Sequence, residues 1–269
     1  MIICPNPHPD FPNDWILAKQ SDHDDHAGYL SAQWVSDAFW APTDPRLLTL
    51  AVAMHDTGSA TWEDHPPVSP QGIPWTFWTM PPEDHIKLHR ISVAVAREVH
   101  PYVALLISMH TVGIHRDRQH VDTQSNRWHI PEHDTPQVNA FVAEQTELQA
   151  QLLAEIEQLR GEPFPRADLM NDFRIFEMLD ILSTQFPCTG LGDREMEWVP
   201  DRHGQPKMLS VKRVGEWEMK IDPYPFSGDR LECPMPGRRI PKQVFKNNEE
   251  YHAVFYAAHP VTLPYALVR

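Results

Sequence analysis

A chain of 269 residues, 41% of them hydrophobic, is long enough to bury a sizeable core in one large domain or in a domain with a small appendage. Its formal net charge of −14 is uneven, at −8 over residues 1–100, −9 over 101–200 and +3 over 201–269, which argues against a nucleic-acid backbone as partner and suits a site that gathers divalent cations. Cys4, Cys188 and Cys233 are odd in number and far apart, which argues against a disulfide framework or a Cys-rich zinc site and fits a reducing, cytoplasmic setting.

The start, Met1-Ile2-Ile3-Cys4-Pro5, has neither a basic flank nor a long apolar segment, so no signal peptide is expected. No run of about 18 apolar residues predicts a membrane span. The segment from His23 to about Trp40 reads as a helix, with Leu30, Trp34 and Ala38 at steps of four and Phe39 extending that side. Asp44-Pro45 opens a second helix by cap-then-proline logic, and its apolar run Leu47–Met54 ends in His55-Asp56. Residues 57 to about 84 form a long loop with six prolines and three tryptophans (Trp62, Trp75, Trp78), a composition that favours an ordered lid. Helical patterns resume at about 84–99 and 101–111, and 116–134 reads as a polar, His-rich loop. Thr135-Pro136 starts a long amphipathic helix that stops at Gly161, and a further helix runs from about Arg166 to Gln185. After Gly190 the texture turns to strand: Met208–Val214 and Trp217–Asp222 flank a Gly215-Glu216 hairpin signal, and Val254–Tyr256 and Val261–Val268 look extended. The expectation is a mainly α protein, with a helical bundle over residues 1–190 and a small β-rich appendage over 191–269.

Several of these apolar faces carry metal-type ligands. His55 shares a face with Leu48 and Ala51, where Leu or Val would normally sit, and burying an imidazole beside a carboxylate costs several kcal/mol unless something pairs with both. A metal ion binds neutral imidazole and carboxylate together. His23, with His26 one turn on, heads the first helix; His85 and His89 are four apart on the third; His110 ends the run Tyr102–Met109; and Asp180 stacks with Phe173 and Phe176 on the greasy side of its helix. His110 also suits the role of a helix C-terminal cation, and Asp180 is exposed if its helix is rotated.

The order His, His-Asp, His, His, Asp resembles the HD superfamily of metal-dependent phosphohydrolases, and more closely the HD-like bacterial family DUF3891. The carrying stretches are Asp22-His23 with Trp34 eleven residues on, Ala53-Met54-His55-Asp56-Thr57-Gly58, Leu105–His110 and Leu179–Ser183, within roughly residues 15–190. The resemblance implies that His23, His55, Asp56 and Asp180 hold a first metal, with Asp56 able to bridge, and that His85 or His89 together with His110 holds a second. His26 competes with His23, His85 competes with His89, and His115 is a spare imidazole near His110.

The implied cofactor is one or two divalent transition ions (Fe, Mn, Ni or Zn). The implied reaction is hydrolysis of a phosphate ester or anhydride of a small molecule or nucleotide, with Asp56 or His85 orienting water or protonating the leaving group. Phosphate also wants cations, and Lys87, Arg90, Arg116 and Arg118 flank the implied ligands, although Lys87 and Arg90 equally suit a solvated helix face. A homo-oligomer is compatible with the long helix over 136–160. Two other classes fit the same residues: a di-iron oxygenase of the inositol-oxygenase type, and a binding protein that keeps the pocket without turnover.

Overall fold

The structure is a computed structural model describing residues 2–3, 12–35, 37–116, 135–185, 187 and 193–269. The segment 117–134 with Arg118, and also Cys4, Cys188 and Gly190, lie outside the described residues.

Two short strands, β1 (Ile2–Ile3) and β2 (Asp14–Ala18), precede helices α1 (Gln20–Ala32) and α2 (Pro45–Val52). A 3-10 turn (Thr57–Ser59) and the single-turn α3 (Ala60–Glu63) lead towards α4 (Pro82–Val99), α5 (Pro101–His115), α6 (Pro136–Arg160) and α7 (Arg166–Gln185). The remainder alternates strands with one helix: β3 (Arg194–Pro200), β4 (Pro206–Arg213), β5 (Glu218–Asp222), β6 (Arg230–Glu232), β7 (Met235–Pro241), α8 (Asn248–Ala257), β8 (His259–Leu263) and β9 (Ala266–Val268). Among the described residues no helix is long and apolar enough to cross a membrane.

The expected mainly α bundle with a small β appendage is not what forms. About 50% of the chain is helical and 21% is strand, in two multi-stranded sheets, so the fold is mixed α/β. One sheet has the order β1-β2-β7-β8, joining the two ends of the chain; the other has the order β3-β4-β5-β9-β6. In the first, β2 runs antiparallel to β7 with Trp15 opposite Ile240 and Leu17 opposite Arg238. These strands hide from pattern reading for physical reasons. β2 buries three successive residues, Ile16, Leu17 and Ala18, instead of alternating. β7 contains two prolines, a glycine and two arginines, a composition that lowers strand propensity.

Local signals explain the helices. The Asp44 side chain accepts from the N–H groups of Arg46 and Leu47, so α2 begins where cap-then-proline logic places it. Gly161, at φ 73°, ends α6 in the left-handed conformation. Two helical boundaries depart from the expectation. α1 ends at Ala32, and Trp34 and Phe39 pair as isolated bridges with Phe226 and Asp201, so their apolar spacing reflects burial against the β segment. Residues Val254–Tyr256 are helical, because Asn247 caps α8 through the Glu250 N–H and Tyr251 and Phe255 bury one turn apart.

One core cluster runs from α1, α2, α5 and α7 into the β3–β4–β5–β9 sheet, and a second packs α8 through Tyr251 and Phe255 on Leu17 and Ile240. Asp172, buried in α7, accepts hydrogen bonds from the Tyr102 hydroxyl of α5, the Trp40 indole (2.7 Å) and the Thr43 N–H (3.1 Å). Burial raises its pKa, and these donors oppose that rise. The knot fixes the starts of α2 and α5 against α7, the three elements that lead to the candidate site.

Candidate metal centre

His55 and Asp56 lie in the turn that follows α2, where the chain leaves the helix and its groups are free to take side-chain partners. Two close approaches bring this turn to its neighbours. A side chain at Gly28 of α1 would place its Cβ 2.5 Å from that of Ala53, and one at Gly58 would lie 2.0 Å from the Leu88 carbonyl oxygen of α4. Gly58 also donates its N–H to Ser92 Oγ (2.9 Å). Small residues at these two points let α1 and α4 close on the His-Asp turn.

Hydrogen bonds hold the three imidazoles through Nδ1. His23 Nδ1 lies 2.9 Å from Ser183 Oγ, and that hydroxyl donates its own hydrogen to the Asp180 carbonyl (2.7 Å). His23 is thus held through Nδ1, and its Nε2 stands within hydrogen-bond reach of Asp180 Oδ1, at 2.9 Å. His55 Nδ1 faces two acceptors, the Val52 carbonyl (2.8 Å) and Asp24 Oδ1 (3.0 Å). Its Nε2 lies 3.4 Å from Asp180 Oδ1 and 3.7 Å from Asp56 Oδ2, buried and without a hydrogen-bond partner among the described residues. His110 donates from Nδ1 to Glu177 Oε1 at 2.6 Å, leaving Nε2. The His55 ring packs edge-to-face on both His23 (5.1 Å) and His110 (5.0 Å).

Three buried imidazoles are thus each held through Nδ1. At His23 and His55, Nε2 stands beside carboxylate oxygen, so imidazole nitrogen and carboxylate converge on one point. This fits a metal ion, whose histidine ligands characteristically give their other nitrogen to a fixed acceptor. Ligand atoms lie within 4.8 Å of one another in three overlapping groups: His23, His55 and Asp180; Asp24, His55 and Asp56; and His110, Glu177 and Asp180. Electrostatics agree. Burial alone would lower the His55 pKa, but the charges of Asp24 and Asp56, and the ring's contacts with the Asp180 and Asp24 carboxylates, raise it well above its ordinary value. Burial raises the Asp24 pKa, with His55 opposing it.

Asp56 is itself clamped. Its N–H donates to both oxygens of Asp24 (3.1 and 3.2 Å), and Gln20 donates its side-chain amide to Asp56 Oδ2. Gln20 is held in turn by its N–H on the buried Glu63 (2.6 Å). The centre opens into a cavity of about 20 Å³ lined by Gln20, His23, Asp56, His110, Asp180 and Thr184 on the polar side. Phe77, Trp78, Ile114 and Ile181 supply the apolar side, so the Trp-containing segment covers the site. That volume holds about one water-sized particle.

The structure gathers His23, His55, Asp56, His110 and Asp180 into one place and sets the other expected residues elsewhere. His85 is buried behind Phe77 (ring centroids 4.5 Å), and His89 lies beside His85. His26 turns away, its Nε2 donating to the Cys233 carbonyl (3.1 Å). Burial, then His23, lowers its pKa to about 3. Lys87 is exposed, Arg90 pairs with Glu144 (2.6 Å), and Arg116 donates to Asn139; among the described residues lining the cavity there is no lysine or arginine. Four residues escape pattern reading: Asp24, Glu177, Ser183 and Gln20. Glu177 and Ser183 carried a signal, since each lies one turn from Asp180 along α7.

The fold and the site define a mixed α/β protein with a buried His/carboxylate centre of metal-binding character. Residues 9–242 match the family described as a protein of unknown function, DUF3891, and the chain belongs to that family. No curated protein and no solved structure matches it.

Proposed function

We propose that this chain is a cytoplasmic, HD-type metal-dependent hydrolase of a phosphate ester or anhydride. The observation that carries the reading is the convergence: His23 and His55, each held through Nδ1, turn Nε2 towards Asp180 Oδ1, 2.9 and 3.4 Å away. His23, His55, Asp56 and Asp180 would hold a divalent ion such as Fe, Mn, Ni or Zn, with His110 beside them. When bound, the ion supplies Lewis-acid chemistry, acidifying water and offsetting phosphoryl charge.

The protein's own groups do the rest. Asp56, fixed through Gln20 and Asp24, orients the attacking water and accepts its proton on a carboxylate oxygen. His110, fixed by Glu177 through Nδ1, turns Nε2 to the cavity as an acceptor for water held there. Phe77 and Trp78 exclude bulk water, and they must swing out to admit any substrate larger than the present cavity. A second reading, oxygen-dependent oxidation at iron, gains from the absence of a lysine or arginine among the described lining residues, since phosphate recognition normally recruits one.

Elemental analysis of tag-free protein beside Asp56→Ala tests the centre, and a phosphoester panel run with and without oxygen tests the reaction. Phosphate release that needs the metal, survives without oxygen and is lost in Asp56→Ala supports hydrolysis. Oxygen uptake without phosphate release replaces it with the second reading. Full metal content and full activity in Asp56→Ala refute both.

A further inference from the structure

A larger cavity, of about 250 Å³, lies at the opposite ends of two helices that lead to the metal centre. It stands at the starts of α2 and α5. His55 follows the end of α2, and His110 lies eight residues beyond Tyr102 along α5, roughly 12 Å at the helical rise per residue. The walls are mostly apolar. Leu47 of α2 and Ile156 of α6 line the cavity together with Tyr102 and Phe164, whose ring centroids are 5.5 Å apart. Three polar side chains line it too, each from a different element and each with hydrogen-bonding capacity left over. Asp44 accepts both of its capping N–H groups on Oδ1, so Oδ2 has no hydrogen bond among the described residues. His100 accepts the Tyr102 N–H on Nδ1 (3.1 Å), so its Nε2 carries a hydrogen to donate. Arg160 lies over the Phe164 ring (4.8 Å) and gives one nitrogen to Glu162 (2.9 Å), leaving further donors on the guanidinium.

An apolar cavity with a few placed polar groups is the usual form of a small-molecule site. The charges narrow the ligand. A simple carboxylate would meet the Asp44 carboxylate, and a simple amine would meet the Arg160 guanidinium, whereas a molecule that carries both charges satisfies both. The volume falls just under the range of about 300–1,000 Å³ typical for drug-sized ligands, as suits a single amino acid. We propose that this cavity binds a small zwitterion with an apolar side chain, the chemistry of a free aromatic or branched α-amino acid. The ammonium goes to Asp44, the carboxylate to Arg160 and the His100 Nε2–H, and the side chain to Leu47, Ile156 and the two rings. No group of the metal centre takes part, and the inference does not depend on the reaction proposed above.

The test is a calorimetric titration of the full chain with L-phenylalanine, L-leucine, phenylacetate (which lacks the ammonium) and phenethylamine (which lacks the carboxylate). At least one of the two amino acids is expected to bind, and phenylacetate and phenethylamine are each expected to bind about tenfold more weakly or less. Arg160→Gln and Asp44→Asn should each weaken the amino acid by about tenfold. Asparagine caps a helix about as well as aspartate, so α2 keeps its start in the second variant. Asp180→Asn should keep the wild-type affinity. Failure of both amino acids to bind overturns the proposal without any variant. Phenylacetate or phenethylamine binding as tightly as the amino acid also overturns it, since one charge then suffices. So does wild-type affinity in both Arg160→Gln and Asp44→Asn, or loss of binding in Asp180→Asn, which would put the ligand at the metal centre.

Discussion

Asp24→Asn separates the residue that orients the centre from the residues that ligate it. In the structure Asp24 makes two contacts, accepting from His55 Nδ1 at 3.0 Å and from the Asp56 N–H at 3.1 and 3.2 Å. Asparagine has nearly the same shape but one oxygen, so an acceptor at Oδ1, where both donors meet, is kept only by setting an NH2 against the Asp56 N–H. It also removes the negative charge that makes His55 a stronger base. Outer partners of metal-bound histidine are each worth about 10- to 100-fold in affinity, which is about 1.4–2.7 kcal/mol. We therefore expect Asp24→Asn to weaken the first metal by that factor in a calorimetric titration of chelator-treated protein. The step concerned is identified as the one that Asp180→Asn abolishes. Asp25→Asn is the matched control, because Asp25 is the next residue and is exposed. Thermal melts of the metal-free forms run in parallel keep affinity apart from folding. Equal affinity in Asp24→Asn and wild type, or an equal loss in Asp25→Asn, would refute the reasoning.

Gly58→Ala sets a methyl 2.0 Å from the Leu88 backbone carbonyl and is expected to destabilise the fold by about 1–3 kcal/mol in urea; an unchanged midpoint would mean that α4 does not pack there. Tyr102→Phe removes a donor from the buried Asp172 and should cost about 1–3 kcal/mol, whereas a loss of a few tenths would show that carboxylate satisfied without it. Arg90→Ala breaks a half-exposed pair with Glu144 and should change stability by less than about 1 kcal/mol, with a larger loss pointing to a further role for Arg90. His26 has a folded pKa of about 3 and an ordinary unfolded value, so between these the unfolded chain binds a proton that the native protein does not. Stability present at neutral pH is therefore lost as pH falls below about 6.5, at about 1.4 kcal/mol per pH unit, and His26→Gln should flatten that slope in urea melts at pH 7 and 5. An identical slope in the variant would place the proton elsewhere.

The helices were largely legible because each has its own local punctuation: Asp44-Pro45, Thr135-Pro136 and Gly161 act on neighbouring backbone groups. The Gly215-Glu216 hairpin is legible for the same reason, and β4 and β5 do pair across it. The first sheet was not, because the pairing of Leu17 with Arg238 joins residues with no local relation, and β7 has an unpromising strand composition. The site divides in the same way. His55, Asp56 and Asp180 stand out as polar residues on apolar faces. Asp24 is lost in an acidic run, since Asp22, Asp24 and Asp25 look alike until the α1 packing decides that Asp24 faces inward. Gln20 gives no signal, as a neutral amide at the start of a helix has many ordinary uses.

The β2–β7 pairing has a consequence for the order in which the molecule is assembled. α1, which carries His23, follows β2 after a single residue, and is further tied to the C-terminal quarter through His26 on Cys233 and Tyr29 on Glu232. A chain growing on the ribosome therefore makes His23 early but gains its anchor only when β7 emerges more than two hundred residues later. Closing so long a loop is entropically slow, and the helices in between can form while they wait. Metal capture at the first centre thus belongs to the end of folding, after β7 has paired with β2.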